Sequence, residues 1–259
     1  MDNKILLTII IASLNRHNEL IKCLLSIKKI FPMKYILDQI QIIVVDQSDE
    51  ANHDLCRDLK GMNFTYIHST IRNASHARNL GAQYADSKYL WFLDDDAEVL
   101  SFRFESLLDE RNIFFISWRE KRHVFEKLYR YNKLNIIRRS GTPFYLLKKK
   151  CFDDVGGFNL DLGPGSVIRG GEDLDLLLRV NSKYSIEDFS IHGELTHPLN
   201  ASDEAKKSSY YFARGYVLAL NDEFMLFLVN LIYDIAISYR CGLNRAGMLI
   251  KGFIYCKRL

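Results

Sequence analysis

The sequence has few of the features that mark disulfide-rich, membrane-spanning or nucleic-acid-binding proteins. Its 259 residues include only five cysteines, widely spaced and without a C-x-x-C motif, so nothing indicates a disulfide framework or a zinc site and a reducing compartment fits best. No run reaches the ~20 apolar residues of a membrane-spanning helix. The formal net charge of +3 is too small to indicate a nucleic-acid partner. Repeats and low-complexity segments are also missing.

The remaining composition is that of an ordinary globular protein. Hydrophobic residues make up 48% of the chain and charged residues 26%, and the length is enough for one large α/β domain or for one domain with an appendage. The charge is uneven, because the stretch between Arg111 and Lys150 is strongly basic. This stretch could face phosphates or an anionic membrane, or it could be a solvated surface.

Continuous apolar runs alternate with helical patterns in the first hundred residues. The run from Ile5 to Ile11 is interpreted as a buried strand rather than a signal peptide, because β-branched residues dominate and a helical pattern follows at once. Further strands are predicted at "IIVVD", ending at Asp46, at "FTYIHS", and at "YLWFL", ending before Asp94. This order predicts a mostly parallel sheet with helices on both faces.

Helices are predicted between these strands and at the end of the chain. Apolar residues from Leu20 to Phe31 recur at helical spacing, a short helix is predicted at 54–62, and Ser75 is the expected cap of another helix. From about Ser202 the chain is predicted to be helical. These last helices either pack on the core or lie on an anionic membrane as an amphipathic segment. The region 102–137 has no clear pattern.

Polar side chains follow three of the predicted strands. Asn15 and Arg16 come after the first strand, Asp46 ends the second, and the run from Asp94 to Asp96 follows "YLWFL". Ligands of open α/β sheets bind beyond the carboxyl ends of the strands. The sequence therefore predicts a ligand site at this edge of the sheet.

The three consecutive aspartates suit a divalent cation. Asp94 and Asp96 are two residues apart, so in an extended chain their side chains point the same way, whereas Asp95 points elsewhere. Mg²⁺ and Mn²⁺ prefer oxygen ligands and are often held by one or two carboxylates together with substrate phosphates. An aspartate-rich surface turn is the alternative, although it does not explain why the cluster follows a buried strand directly.

A second acidic cluster lies in "RGGEDLDL". Glu172 and Asp173 stand at a predicted helix N-terminus, where acidic residues are favoured by capping alone. The functional interpretation is a general base with a neighbouring acid that binds an acceptor.

Three single residues have both a functional and a structural interpretation. Asp46 could accept hydrogen bonds from a base or a ribose, or it could cap a turn. Arg78 could meet a nucleotide base or phosphate, or it could be a plain surface arginine. His197 could be a metal ligand, or it could be structural, as a lone histidine more often is.

Together these segments resemble the family 2 glycosyltransferases with the GT-A fold. The resemblance extends from about Leu7 to Pro198. Four segments carry it: "TIIIASLNR", "IIVVDQSD", "NASHARNLGAQYADSKYLWFLDDDAE" and "FDDVGGFNLDLGPGSVIRGGEDLDLLLRV". Their order and spacing are more specific than any one of them. One departure is Ala12, where the family often has proline.

The resemblance implies transfer of a sugar from a UDP- or GDP-sugar donor to an acceptor hydroxyl, with inversion at the anomeric carbon. The residues implied to bind the nucleotide-sugar are Ala12, Asn15, Arg16, Asp46, Arg78, Asp94 and Asp95. The implied metal, Mn²⁺ or Mg²⁺, is held by Asp94, Asp96 and His197, the last preferred over His192. Asp173 is implied to be the base and Glu172 to hold the acceptor, although the two roles could be exchanged.

The resemblance also implies a division of the chain and a setting. We expect a GT-A catalytic domain at 1–200, with a nucleotide-binding half at about 1–100 and an acceptor-binding half at about 101–200, and a helical segment at 201–259. The expected acceptor is a saccharide or lipid-linked saccharide of bacterial polysaccharide synthesis. From the residues themselves, the widely spaced cysteines predict a cytoplasmic location, and the basic middle and apolar C-terminal segment suit peripheral contact with the inner face of the membrane.

Two other functions remain open from the sequence. A nucleotidyltransferase also combines a metal, carboxylates and a nucleotide-binding sheet, but no glycine-rich loop bearing Lys or Arg follows the first strand to hold a triphosphate. A non-catalytic subunit that binds sugar nucleotides or glycans could keep the same fold, although both acidic clusters are intact.

Overall fold

A computed structural model describes most of the chain. The described residues are 5–31, 38–52, 62–119, 133–186, 191–198, 204–241 and 244–258. Most of the short helix predicted at 54–62 lies outside them, and so does the segment 120–132 of the basic stretch.

Strands and helices alternate through the first hundred residues, as the sequence predicts. The strands are β1 (Leu7–Ser13), β2 (Ile40–Asp46), β3 (Phe64–His68), β4 (Tyr89–Asp94), β5 (Glu98–Phe102), β6 (Ile113–Trp118), β7 (Tyr145–Lys148) and β8 (Ile191–Thr196). The α-helices are α1 (His17–Ile30), α2 (Ala74–Gln83), α3 (Lys133–Arg139), α4 (Lys149–Asp154), α5 (Glu172–Tyr184), α6 (Glu204–Leu220), α7 (Phe224–Cys241) and α8 (Asn244–Lys257). Short 3₁₀ helices lie at Phe104–Asp109 and Thr142–Phe144.

The strands form an eight-stranded sheet in the order β3-β2-β1-β4-β7-β6-β8-β5. β1 pairs in parallel with β2 and β4, and β2 pairs in parallel with β3. The other half is mixed, since β7 is antiparallel to β4 and β6, β8 is parallel to β6, and β5 is antiparallel to β8. The predicted GT-A-like α/β architecture, with a Rossmann-like sheet flanked by helices, is confirmed.

The side chains of β1 alternate between two buried layers. Leu7, Ile9 and Ile11 share one layer with the buried face of α1, whereas Ile10 belongs to the opposite layer. There, Gly81 of α2 lies so close to the sheet that a β-carbon would stand 2.5 Å from Ile10 Cγ2. Coverage on both faces explains why the strand is continuously apolar.

The cap of α2 differs from the prediction. Asn73, not Ser75, is the N-cap, and its side chain accepts a hydrogen bond from the backbone of His76. The hydroxyl of Ser75 instead donates to the carbonyl oxygen of Leu162. This contact docks the glycine-rich loop before α5 onto the start of α2. At Gly165 of that loop a β-carbon would lie 2.1 Å from the Arg72 carbonyl oxygen, so only glycine allows this approach.

The C-terminal segment is helical, as predicted. Ala213, Val217 and Leu218 of α6 share a buried cluster with the apolar face of α5, which favours packing on the core for this helix. The helix α7 leaves several large apolar side chains exposed, among them Met225 and Ile232. Within the described residues, no helix combines the length and apolar character needed to cross a membrane.

Candidate active site

The carboxyl ends of β1 and β4 open onto a cleft of about 590 Å³. Ala12 of β1 and Asp94 of β4 are partners in the strand register, and both line the cleft. Distant segments complete the lining: the turn after β4, the starts of α2 and α5, the residue after β8, and α6. The cleft therefore lies at the sheet edge that the sequence predicts.

Asp94, Asp96 and His197 lie side by side in this cleft. His197 Nε2 is 3.1 Å from Asp94 Oδ2 and 3.1 Å from Asp96 Oδ1. Burial by itself would raise the pKa of Asp94, but the hydrogen bond from His197 and the charge of Arg78 outweigh it and lower the pKa to about 2. Burial would likewise lower the pKa of His197, yet the two carboxylates raise it to about 10. The carboxylates therefore stabilise a positive charge between them.

The three side chains fit a divalent metal ion. One ligand atom from each of Asp94, Asp96 and His197 can be chosen so that all lie within 4.8 Å of one another. His197 Nδ1 is 3.1 Å from the Pro198 carbonyl oxygen, a contact that orients the ring and directs Nε2 at the carboxylates. Asp96 Oδ1 is buried, and its only partner among the described residues is His197 Nε2, at ion-pair distance. A mixed oxygen and imidazole donor set suits Mn²⁺ and also accommodates Mg²⁺.

Asp95 lies apart from these three residues. Its Oδ2 accepts a hydrogen bond of 2.9 Å from Ser13, and its Oδ1 is 2.7 Å from Arg16 Nη1. The same Arg16 nitrogen is 3.0 Å from Asp96 Oδ2. Burial raises the pKa of Asp95, although Arg16 and Ser13 counteract it. Arg16 therefore connects the end of β1 to both aspartates of the turn.

Arg78 connects the two acidic clusters. Its Nη2 is 2.9 Å from Asp94 Oδ1, and its Nη1 is 3.1 Å from Glu172 Oε1. The side chain is only 6% exposed and its Cζ lies 5.5 Å from the centre of the Phe158 ring, so it is not a plain surface arginine. A buried guanidinium between two carboxylates fixes the strand end and the start of α5 relative to each other.

Two glycines place the acids of α5 in the cleft. Gly170 and Gly171 have φ values of 133° and 84°, which favour glycine. The backbone then enters α5 directly at Glu172 and Asp173, so both carboxylates line the cleft. The "RGGED" pattern thus has a conformational basis as well as a chemical one.

Asp173 has an environment opposite to that of Asp94. Burial raises the pKa of Asp173 well above its usual value, and the neighbouring Glu172 charge raises it further. The charge of Arg78 and a hydrogen bond from Thr142 Oγ1 oppose that rise. A carboxylate in such surroundings accepts a proton readily.

Two residues predicted to bind the nucleotide do not line the cleft. Asn15 is exposed, with φ of 55°, and its side chain contacts Asp49. Asp46 is fully buried, and its carboxylate accepts hydrogen bonds from Ser48 and from Tyr66 Oη. A direct contact of either residue with a nucleotide stays a prediction. The geometry shows Asp46 ordering the loop after β2.

Several cleft residues are missing from the sequence prediction. Gln47 could have been included, because it follows Asp46 at the same strand end. Thr142 gave no signal, since its contact with Asp173 spans 31 residues. Tyr210 and Arg214 are one helical turn apart on α6, but nothing in the sequence shows that this face of the helix meets the cleft.

Comparison with known proteins identifies the family. Residues 8–160 match the model described as glycosyl transferase family 2. This chain belongs to glycosyl transferase family 2. The matched range includes the aspartates after β4, whereas Glu172, Asp173 and His197 lie beyond it.

Similar proteins are found both by sequence and by fold. A Haemophilus influenzae protein described as an uncharacterized glycosyltransferase is 24% identical over 271 aligned residues, which cover 93% of this chain and 86% of that protein. S. aureus TarS 1–349 in complex with UDP-GlcNAc has a TM-score of 0.65 and 14% identity over 96% of this chain and 79% of its own. The mannosyltransferase PcManGT from Pyrobaculum calidifontis, in complex with GDP-Man and Mn²⁺, has a TM-score of 0.65 and 13% identity over 99% of this chain and 88% of its own.

These solved structures share the fold of this family 2 member. This chain spans 40% of a longer TarS chain, with a TM-score of 0.63, and 65% of other TarS 1–349 structures. Sugar transfer is the reaction class that the family and the similar proteins support.

Proposed function

We propose that this protein is an inverting, metal-dependent glycosyltransferase that moves a sugar from a nucleotide-diphosphate donor to an acceptor hydroxyl. One observation supports this most strongly: Arg78 holds Asp94 and Glu172 in the same cleft, so two acidic clusters with opposite electrostatic character face one shared space. Inverting transfer needs a positive charge at the leaving group and a base at the acceptor.

The donor side is the cluster of Asp94, Asp96 and His197. These residues would hold Mn²⁺ or Mg²⁺, which supplies positive charge to the departing diphosphate without proton transfer. Similar folds bind UDP-GlcNAc in TarS and GDP-Man with Mn²⁺ in PcManGT, which supports a UDP- or GDP-sugar as donor. Ala12 and Arg16 line the cleft beside this cluster and are proposed to contact the nucleotide.

The remaining nucleotide-binding roles are indirect in this proposal. Arg78 and Asp95 lie in the cleft but are engaged with neighbouring residues, so they position the metal ligands and Arg16. Asp46 and Asn15 shape the loops after β2 and β1, on which the base is proposed to rest.

Asp173 is the proposed general base and Glu172 the proposed acceptor-binding acid. Glu172 Oε1 is held by the buried Arg78, whereas Asp173 accepts only a neutral hydroxyl hydrogen bond, from Thr142, in the described residues. The acceptor hydroxyl loses its proton as it attacks, and a carboxylate with a raised pKa is well suited to receive it. Thr142 orients that carboxylate.

The acceptor is proposed to be a saccharide or lipid-linked saccharide of bacterial polysaccharide synthesis, used by a cytoplasmic enzyme in peripheral contact with the membrane. Family analogy supports the acceptor. The exposed apolar side chains of α7, among them Met225 and Ile232, support the membrane contact. Binding to anionic vesicles tests the membrane part, and a protein that fails to sediment with them would contradict it.

Product analysis tests the reaction. The protein is incubated with UDP- and GDP-sugars and Mn²⁺ against a saccharide panel, and the nucleotide product and the anomeric configuration are measured by NMR. We expect release of a nucleoside diphosphate and an inverted linkage. Pyrophosphate release would indicate a nucleotidyltransferase, a retained anomer would contradict inversion, and nucleotide binding without turnover across the panel would favour a non-catalytic subunit.

A further inference from the structure

The C-terminal helix α6 brings a cation into the cleft. Arg214 lines the cleft together with Tyr210, which lies one turn earlier on the same helix. The position of α6 is fixed by the loop before α5, since a β-carbon on Gly171 would stand 3.4 Å from Ala213 Cβ and 2.9 Å from Val217 Cγ2. Arg214 is therefore delivered beside the segment that carries the proposed base.

Arg214 differs from the other arginines that line the cleft. Arg16 pairs with Asp95 and Asp96, Arg72 pairs with Asp49, and Arg78 pairs with Asp94 and Glu172. Among the described residues, no carboxylate lies within ion-pair distance of Arg214. A guanidinium group keeps its charge at every physiological pH. Because Arg214 forms no ion pair with a described residue, its positive charge is not directly neutralised.

The surroundings of Arg214 hold an excess of positive charge. Its Cζ lies 5.3 Å from the centre of the Tyr211 ring, and Arg245 lies over the same ring at 5.4 Å. One buried carboxylate, Asp234, acts on both guanidinium groups. Burial also lowers the pKa of Arg214. A desolvated cation with incomplete compensation is destabilising unless an anion binds to it.

The packing of α6 shows which side of the cleft Arg214 approaches. The helix packs on the Gly170–Gly171 turn, where a β-carbon on Gly170 would stand 3.1 Å from Tyr210 Cδ1 and one on Gly171 would stand 3.4 Å from Ala213 Cβ. That turn leads directly into Glu172 and Asp173, whereas Asp94 and Asp96 stand at and just after the end of β4. A diphosphate at Asp94 and Asp96 would lie at the strand end, so an anion at Arg214 belongs to the other substrate.

We propose that Arg214 binds an oxyanion of the acceptor, a phosphate or a carboxylate, and thereby selects phosphorylated or acidic saccharides. The inference rests on the proposed function, because it assigns the acceptor to the side of Asp173. A planar guanidinium fork matches both groups with two parallel hydrogen bonds. Tyr210, one turn earlier on α6, lines the same cleft.

Calorimetry tests the proposal with glucose, glucose 6-phosphate and glucuronate as probes, with and without saturating UDP or GDP and Mn²⁺. We expect the wild type to bind one or both anionic probes at least about tenfold more tightly than glucose, and the probe that binds identifies phosphate or carboxylate. Arg214→Gln should remove this preference, and Arg214→Lys should keep part of it because charge remains. Nucleotide affinity should not change.

Arg245→Gln is the matched control. It removes the other guanidinium over Tyr211 but does not line the cleft, so probe binding should stay close to wild type. The proposal is wrong if the wild type shows no preference for the anionic probes, if Arg245→Gln has the same effect, or if Arg214→Gln weakens the nucleotide instead. Failure of the wild type to bind any nucleotide would refute the proposed donor, while the titrations without nucleotide would still test Arg214.

Discussion

Two aspartates in one cleft, Asp94 and Asp173, have opposite electrostatic environments. Asp94 lies against His197 and Arg78, which overcome the effect of burial and lower its pKa to about 2. Asp173 lies beside Glu172, and burial together with that negative charge raises its pKa well above the usual value. An aspartate thus favours its charged form at the strand end, where Asp94 lies, and its protonated form at the helix start, where Asp173 lies.

The difference shows that the position of an aspartate in the fold determines the chemical role to which it is suited. Asp94 ends a buried strand, where the parallel sheet gathers residues from several segments and cationic partners can surround it. Asp173 follows a pair of glycines that turn the chain into α5 and leave its carboxylate with Thr142 as neutral partner. The first environment suits a bound cation and the second suits proton transfer.

The largest expected effect comes from removing the base. Asp173→Asn keeps the shape of the side chain but not its ability to accept a proton, so the transfer rate should fall by about 10²–10⁴-fold. Steady-state kinetics measures the rate, and circular dichroism checks the fold. Asp153→Asn, which changes a half-exposed carboxylate paired with Lys149, is the matched control and should be near wild type. Transfer by Asp173→Asn at near wild-type rate would remove Asp173 from the mechanism.

The next effect concerns the strand-end cluster. Asp96→Asn removes the charge of one of the three candidate ligands, so the Mn²⁺ concentration that gives half-maximal activity should rise by at least about tenfold. A metal titration of transfer activity measures it. EDTA should inactivate the wild type reversibly. An unchanged metal requirement in the variant, or full activity in excess chelator, would show that the cluster binds no essential metal.

A smaller effect should appear in the pH dependence. The base must be ionised, so kcat/KM should fall as the pH drops below the pKa of Asp173, at a value above the ~4 of an ordinary aspartate. Thr142→Val removes a hydrogen bond that lowers this pKa, and the acidic limb should therefore move to higher pH. Ser106→Ala, a serine whose hydroxyl bonds only a local carbonyl oxygen, is the control. An acidic limb that does not move in Thr142→Val would show that Thr142 does not affect the pKa of the base.

The smallest expected effect is on stability. Between the pKa of Asp173 in the unfolded chain and its raised value in the folded protein, the folded state binds the extra proton, so stability falls as the pH rises through that range. Asp173→Asn removes this dependence. The free energy of unfolding in urea should be measured for both proteins at pH 4 and pH 8. The difference between variant and wild type should shift in favour of the variant at pH 8. A difference that does not change with pH would contradict the raised pKa of Asp173.

The sequence predicts the parallel half of the fold well. Its strands are continuous apolar runs that end at polar residues, and the structure contains β1, β2, β3 and β4 close to the predicted positions, with β1 at Leu7–Ser13 rather than Ile5 to Ile11. In the mixed half, the apolar run "FYLLKK" predicts β7, but β5, β6 and β8 are not predicted. β5 and β6 both pair with β8, which follows them by about ninety and about eighty residues, so these strands depend on tertiary context.

The candidate site shows the same limit. Asp94, Asp96, Glu172 and Asp173 are visible because each lies at the end of a strand or the start of a helix. Thr142 and Arg214 are invisible because only tertiary packing brings them to the cleft. Ser75 and Asn73 are both good capping residues, so the sequence alone does not decide which of them caps α2. The structure decides for Asn73, because the Ser75 hydroxyl binds the carbonyl oxygen of Leu162 in the loop before α5.

Nucleotide binding provides the most direct test of the division between the two acidic clusters. Calorimetric titration of UDP and GDP, with and without Mn²⁺, should be made on the wild type, Asp96→Asn and Asp173→Asn. We expect Mn²⁺ to strengthen nucleotide binding to the wild type and to Asp173→Asn equally, and to have little effect on Asp96→Asn. Equal loss in both variants, or metal-dependent binding that survives in Asp96→Asn, would contradict separate roles for the two clusters.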